Sequence, residues 1–394
     1  MLSTGLFLVG CIGHFCLVMR FVNYIYSFPY HRKLLKLFRM AMGFWILALP
    51  IIGWWQGVVP QLLPDNEKSF IFQVNFLSFL LLYWWVCIGI GGVVFPWITI
   101  FRLLQRLPEN VELLQNTVVD IEVLTPRDVL AGNGKHSWLA KLRFNNIFQV
   151  EYTDLAINCP NLPPAWEGLS ILHISDLHFY GTPGEVFYEK VFAECQHRGV
   201  PDLLIISGDI IDDDQYLPWI PKLLGQLQWK IAAFAIPGNH DWWNDHHAVG
   251  QELSRLGIQY LETLPTKIEI AGSRLEVIGH SGPWFAAPDM GEKKSADFRL
   301  LISHTPDHLN WAVRHHVDLM LSGHNHGGQI RLPIIGSIFV PSKYSRKFDM
   351  GTFRRENTAL HVNRGLAGKE PLRFRCLPQV SRIVLRGQQK VNEL

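Results

Sequence analysis

Nine side chains able to hold a cation or move a proton stand directly behind apolar runs. Asp176 and His178 follow LSILHIS (169–175), and Asp209 follows VPDLLIIS (200–207). Asn239, His240 and Asp241 follow KIAAFAIP (230–237). His304 closes RLLIS (299–303), while His324 and His326 follow VDLMLS (317–322) and are boxed in by Gly323, Gly327 and Gly328. A single polar strand end is ordinary, because loops are polar. Five in succession, all in metal-ligand residue types, point to chemistry. Carboxylate, imidazole and amide oxygen without thiolate suit first-row cations such as manganese, iron or zinc. A closed structural zinc site takes four ligands, and this set is larger and richer in oxygen. So many donors imply two ions sharing a carboxylate, an arrangement suited to in-line displacement at phosphorus.

Elements must bring these residues together. The runs are apolar and β-branched, as buried strands are, and stretches of helical length such as 184–197 and 245–256 separate several of them. Strands alternating with helices predict an α/β domain with a layered sheet. Ligands in such sheets gather at the carboxyl ends of the strands, where the polar residues fall. Glycine beside His324 and His326 would let backbone pass close to a crowded cluster.

The 394-residue chain is long enough for more than one domain. Its net charge of +2 lacks the basic excess of a nucleic-acid binder. The six cysteines show no CxxC spacing, which argues against a disulfide framework or a thiolate metal site. Residues 2–19, 40–63 and 70–101 are apolar stretches, the last two without any charged residue, and each is of a length to cross a bilayer. The first also resembles a signal peptide, but no basic side chain precedes Leu2. Arg32, Lys33, Lys36 and Arg39 lie between the first two spans, and Arg102 and Arg106 follow the third. Asp65 and Glu67 outweigh Lys68 in the other loop. The positive-inside rule then predicts a multi-pass membrane protein with everything after the third span in the cytoplasm. The expected organisation is a membrane region at 1–106, a connector or short hairpin module at 107–150 and a catalytic domain at 151–394.

DLH (176–178), GD (208–209), GNHD (238–241), SH (303–304) and GHNH (323–326), in that order, resemble the calcineurin-like metallophosphoesterases. The resemblance covers roughly residues 152–394 and implies a four-layer α/β/β/α sandwich, here preceded by a helical transmembrane region. It implies that Asp176, His178 and His326 hold one divalent ion, that Asn239, His304 and His324 hold the other, and that Asp209 bridges them. It implies that His240 faces the substrate phosphate, with Asp241 orienting its ring, while a hydroxide held on the ions attacks phosphorus. HNHGGQIRLPIIG (324–336) and the SRKFDMG, NRGL and PLRFRCLP segments resemble a membrane-associated bacterial phosphodiesterase branch that includes UDP-2,3-diacylglucosamine diphosphatases of lipid A synthesis. A lipid-linked nucleotide, cut to UMP and 2,3-diacylglucosamine 1-phosphate, is the substrate this implies, with manganese as the expected metal. One departure is His280-Ser281-Gly282-Pro283, where many relatives carry an aspartate.

Other candidates compete with plainer readings. Arg346 and Arg364 are candidates for binding substrate phosphate, against ordinary ion pairing. Trp242, Trp243, Trp284 and Phe285 are candidates for lining an acyl channel, against simple core packing. His246 and His247 read as helix residues near the site. The competing functions are an outward-facing phosphodiesterase of other envelope phosphoesters and a non-enzymatic membrane scaffold.

Overall fold

The computed structural model describes residues 1–62, 76–123, 125–290 and 296–387. The loop charges Asp65, Glu67 and Lys68 used in the orientation argument lie outside the described residues. The chain divides into two compact units, one of Met1–Arg106 with Pro333–Ile335 and one of Leu107–Leu332 with Gly336–Leu394.

In the first unit, helices over Leu2–Tyr26, Arg32–Trp55 and Leu77–Leu103 are long and apolar enough to cross a membrane. Arg32 to Arg39 form the opening turns of the second helix rather than a separate loop. The third carries a wider π-type turn at Ile90–Val94, around Gly91 and Gly92, and continues without a break to Leu103. Small residues let the first and third helices approach: a Cβ on Gly13 would lie 1.8 Å from the Cys87 carbonyl oxygen. Without a hydrophobic drive in lipid, such close backbone packing is a main source of helix association. Buried His14 joins all three helices, its Nδ1 at 2.6 Å from the Tyr83 hydroxyl and its Nε2 at 3.2 Å from the Trp45 carbonyl.

Among the described residues the second unit holds fifteen strands in chain order. These are β1 (Val111–Asp120), β2 (Gln149–Asn158), β3 (Ser170–Ile174), β4 (Leu203–Ile206), β5 (Ala232–Ala235), β6 (Ile258–Tyr260), β7 (Thr266–Ile270), β8 (Ser273–His280), β9 (Phe298–Ser303) and β10 (Leu319–Ser322). A short ribbon, β11 (Arg331–Leu332) with β12 (Gly336–Ser337), precedes β13 (Gly351–Arg355), β14 (Thr358–Val362) and β15 (Gln379–Arg386). One sheet runs β1-β2-β15-β3-β4-β5-β6, and a second runs β13-β14-β10-β9-β8-β7. Residues 107–150 include β1, which pairs antiparallel with β2 from Val111 opposite Ile157 to Asp120 opposite Gln149.

Side-chain alternation explains the layering. Leu203 and Ile205 of β4 pack with Leu300 and Ile302 of β9 in a core between the two sheets. Leu204 and Ile206 face the other way, against Val191 of the helix Glu185–His197 and Leu253 of the helix His246–Arg255. Leu301 of β9 likewise turns outward, against Leu309 and Ala312 of the helix Leu309–Arg314. Strands apolar on both faces therefore lie between a partner sheet and helices, giving the α/β/β/α sandwich. Each buried leucine or isoleucine contributes roughly 1.5–3 kcal/mol.

The runs behind the polar residues form β3, β4 and β5 of one sheet and β9 and β10 of the other. Within each sheet these strands are parallel, so their carboxyl ends coincide.

Candidate metal centre

The structure brings Asp176, His178, Asp209 and His326 together, with Asp209, His304 and His324 beside them, the donor atoms of each group lying within 4.8 Å of one another. Asn239 joins the second group through its Oδ1, 3.0 Å from His304 Nε2. Asp209 belongs to both. Its Oδ2 is 3.6 Å from His178 Nε2 and 3.4 Å from His304 Nε2, and its Oδ1 accepts the His240 backbone N–H at 2.8 Å.

Hydrogen bonds fix the orientation of each imidazole. Carbonyl oxygens accept from His304 Nδ1 (Ser207, 2.8 Å), His326 Nδ1 (Ala367, 3.0 Å) and His324 Nε2 (Pro341, 2.9 Å). Asp212 takes His178 Nδ1 at 3.1 Å. The second nitrogen of every ring therefore turns a lone pair into the cluster. His178 Nε2 and His326 Nε2 face each other at 3.3 Å, and His304 Nε2 and His324 Nδ1 at 3.1 Å. Lone pairs so placed require a cation or an extra proton between them. The donor set fits divalent metal ions, and the outer acceptors select the tautomers that metal binding needs.

Burial, the largest influence here, opposes charge on His178 and His304. The Asp212 carboxylate beside His178 and the Asp209 carboxylate beside His304 outweigh it, pushing both rings up to about 9. Burial, then neighbouring His304, brings His324 down to about 3, and burial with His178 holds His326 well below its ordinary value. Burial also raises Asp176, whereas His304, His240 and His178 keep Asp209 ionised against burial. The carboxylates thus draw positive charge into the cluster, which bound cations would supply directly.

The backbone is strained at the same points. Asp176, His178, Asp209, His324 and His326 all have φ between 47° and 68°, the left-handed region that non-glycine residues resist. Close approach explains the neighbouring glycines: a Cβ on Gly323 would sit 1.8 Å from Ser175 Oγ, and one on Gly238 would sit 2.2 Å from Asp209 Oδ1.

The expected role of Asp241 is corrected. Its carboxylate accepts backbone N–H groups of Gly238 at 2.8 Å and Ile210 and Ile211 at 3.0 and 3.1 Å, so it organises two loops rather than the His240 ring. Asp212 holds His240 instead, through Nδ1, while its other oxygen holds His178. Nothing in the sequence singles it out from Asp213 and Asp214 beside it, except its place three residues after Asp209.

The two arginine candidates make contacts within the fold. Arg364 is buried with Nη2 at 2.7 Å from Glu151 and Nε at 3.3 Å from Gln379, so its head is engaged within the fold. Arg346 donates to the Ser337 carbonyl at 3.0 Å and ties down the β11–β12 ribbon. A different arginine stands behind the cluster. Arg373 is fully buried, and its Nη2 donates to the carbonyls of Ala367 at 2.6 Å and Arg364 at 2.8 Å. It thereby pins the loop whose Ala367 carbonyl orients His326. Only the PLRFRCLP run hinted at it.

Among the aromatics, Trp284 stands 5.0 Å from the His324 ring and 5.8 Å from His304, and Trp243 stands 4.9 Å from His240. Phe285 meets His246, while Trp242 packs beside Trp243. His246 and His247 form another group with exposed Glu262, separate from the two above. His280 stacks on His308 with ring centroids 3.6 Å apart.

The calcineurin-like phosphoesterase family profile matches residues 169–328. The chain is 30% identical over 257 residues to the uncharacterized metallophosphoesterase YkuE of Bacillus subtilis, covering 62% of this chain and 88% of that protein. It is 28% identical over 222 residues to the phosphodiesterase YaeI of Escherichia coli, covering 55% and 81%. It is 24% identical over 294 residues to the UDP-2,3-diacylglucosamine pyrophosphatase LpxG of Chlamydia trachomatis, covering 60% and 88%. The chain belongs to the calcineurin-like phosphoesterase family and is a metallophosphoesterase.

Proposed function

We propose that the protein is a membrane-anchored dinuclear hydrolase that cleaves the pyrophosphate of UDP-2,3-diacylglucosamine to UMP and 2,3-diacylglucosamine 1-phosphate. The observation that carries the dinuclear reading is Asp209 Oδ2, placed between the His178 and His304 nitrogens. Asp176, His178 and His326 would hold one cation, Asn239, His304 and His324 would hold the other, and Asp209 would serve both. Two divalent ions would activate water and neutralise phosphoryl charge, with manganese the metal the family resemblance leads us to expect and zinc or iron as alternatives. His240 meets the substrate phosphate. Asp212 fixes its Nδ1, leaving Nε2 to supply a proton to the departing oxygen as water oxygen bonds to phosphorus and the old P–O bond breaks. The substrate class is supported by the likeness to LpxG and by apolar helices that would keep the enzyme where a diacylated nucleotide sugar resides.

Residues 1–106 then serve as anchor, 107–150 as the joining module and 151–394 as the catalytic domain. Arg32, Lys33, Lys36 and Arg39, with Arg102 and Arg106, favour an inner-membrane protein with its catalytic side in the cytoplasm. Purified full-length protein should release UMP from UDP-2,3-diacylglucosamine only with added divalent metal, and Asp209→Ala should abolish release. No release with any metal, alongside turnover of bis-p-nitrophenyl phosphate, would reject the substrate but keep the chemistry. Reporter fusions at the C-terminus test the orientation, which an extracytoplasmic signal would reverse.

A further inference from the structure

The exposed large hydrophobic side chains of the second unit are concentrated. Among the described residues they fall on 107–144 and at Ile330 and Leu332, with only Ile231 and Leu264 elsewhere. Trp138 is 61% exposed, Phe144 56% and Ile330 41%. Scattered exposed apolar residues need no explanation, whereas a contiguous set does.

Phe374 makes these two segments contiguous. Its ring meets Phe144 with centroids 6.4 Å apart. Its backbone donates to Gln329 O at 2.9 Å and accepts from Arg331 N at 3.0 Å, forming a bridge beside Ile330. Exposed cations flank the apolar tips: Arg143 precedes Phe144, Arg375 follows Phe374, and Lys135 lies near Trp138.

This rim is attached to the loops of the Asp176–His178–His326 group. Gly134 N donates to Gly181 O at 3.0 Å, and Gly184 N donates to Leu130 O at 2.8 Å, which fastens residues 130–134 to the loop leaving His178. Ile330 lies four residues after His326, and Arg373, beside Phe374, supports the His326 loop.

We propose that the rim is a lipid-docking surface. Trp138, Phe144, Ile330 and Leu332 enter the interfacial layer, while Lys135, Arg143 and Arg375 meet anionic headgroups. A phosphoester at headgroup depth then reaches the metal centre without leaving the bilayer. Two observations favour a bilayer over a protein partner. Aromatic tips interleaved with lysine and arginine match the pattern of membrane-interfacial segments. The chain also brings its own bilayer, since only seven residues, 104–110, separate the last apolar helix from β1, a reach of at most about 25 Å. The proposal rests on the helices spanning a membrane and not on which phosphodiester is cut.

The test uses the full-length protein in nanodiscs of phosphatidylethanolamine and phosphatidylglycerol. p-Benzoylphenylalanine is placed at position 144, at 332, or at the control position 231, which precedes β5 at the end opposite the metal ligands. Irradiation should attach lipid at 144 and 332 and leave 231 unlabelled. Lipid labelling no greater than at 231, or cross-links from 144 and 332 to a second copy of the chain, overturns the proposal. In parallel, the pair Arg143→Glu and Arg375→Glu should slow cleavage of a bilayer-embedded phosphodiester about thirtyfold, at roughly 1 kcal/mol for each of the two basic residues, and leave bis-p-nitrophenyl phosphate turnover unchanged. Equal effects on both substrates, or none on either, also overturn it. The photolabelling needs no turnover, so failure of the substrate assignment remains distinguishable.

Discussion

At the scale of single residues, two neighbouring aspartates carry separable duties. Asp212 fixes the rings of His178 and His240, while Asp241 serves three backbone amides. Asp212→Asn should lower kcat on bis-p-nitrophenyl phosphate about 10- to 100-fold, with metal content reduced or unchanged and the melting temperature nearly kept. Asp241→Asn should instead cost roughly 1–3 kcal/mol of stability, read by denaturant unfolding, because buried amides lose acceptors. A reversed pattern would restore the ring-orienting role to Asp241. The ligands are legible in the sequence because each closes an apolar run. Asp212 is not, because it opens a DDD run that reads as loop, and only the fold shows which carboxylate turns inward. Arg373 is equally hidden, since its backbone N–H is held by the side-chain oxygen of Asn145, far away in the chain.

At the scale of elements, apolar runs read correctly as strands, but period-two patterning does not say which sheet a strand joins. β4 and β9 look alike in sequence, yet they face one another across the central core. Residues 107–150 gave a weaker pattern because β1 is an edge strand, largely exposed on both faces. Between the layers sits His361 on β14, fully buried, with Nδ1 at 2.9 Å from Thr352 Oγ1 and Nε2 at 2.9 Å from Ser381 Oγ. Burial, helped by Arg364, pushes it down to about 4, and its neighbour His173 is also held low by burial. The unfolded chain binds a proton near pH 6.5, whereas the folded form does not until about pH 4. The stability from a neutral His361 is therefore complete above about pH 6.5 and lost as pH falls toward 4, about 2 kcal/mol by pH 5. Denaturant unfolding at pH 7 and pH 5 should show that excess loss in the wild type relative to His361→Gln, and equal losses would refute it.

For the molecule as a whole, the absence of charge over long stretches made the spans legible, and glycine contacts show how the helices meet. Gly13→Leu would drive a side chain into the Cys87 backbone. The variant should lower the thermal stability of detergent-solubilised protein while turnover of a soluble phosphodiester stays within about twofold of the wild type, because the packed helices belong to the first unit and the ligand residues to the second. A loss of turnover as large as the loss of stability would tie the membrane helices to catalysis.

The left-handed backbone at Asp176, His178, Asp209, His324 and His326 sets stability against activity at five points. Asp209→Gly should therefore melt higher than Asp209→Ala in metal-free protein, by roughly 1 kcal/mol, although neither turns over substrate. Equal melting would show the local conformation to be costless. The same preference has a reading over evolutionary time. In a descendant released from the need to cleave anything, these five positions are where glycine should accumulate first, and its appearance there would mark a lineage that has abandoned the reaction while keeping the scaffold.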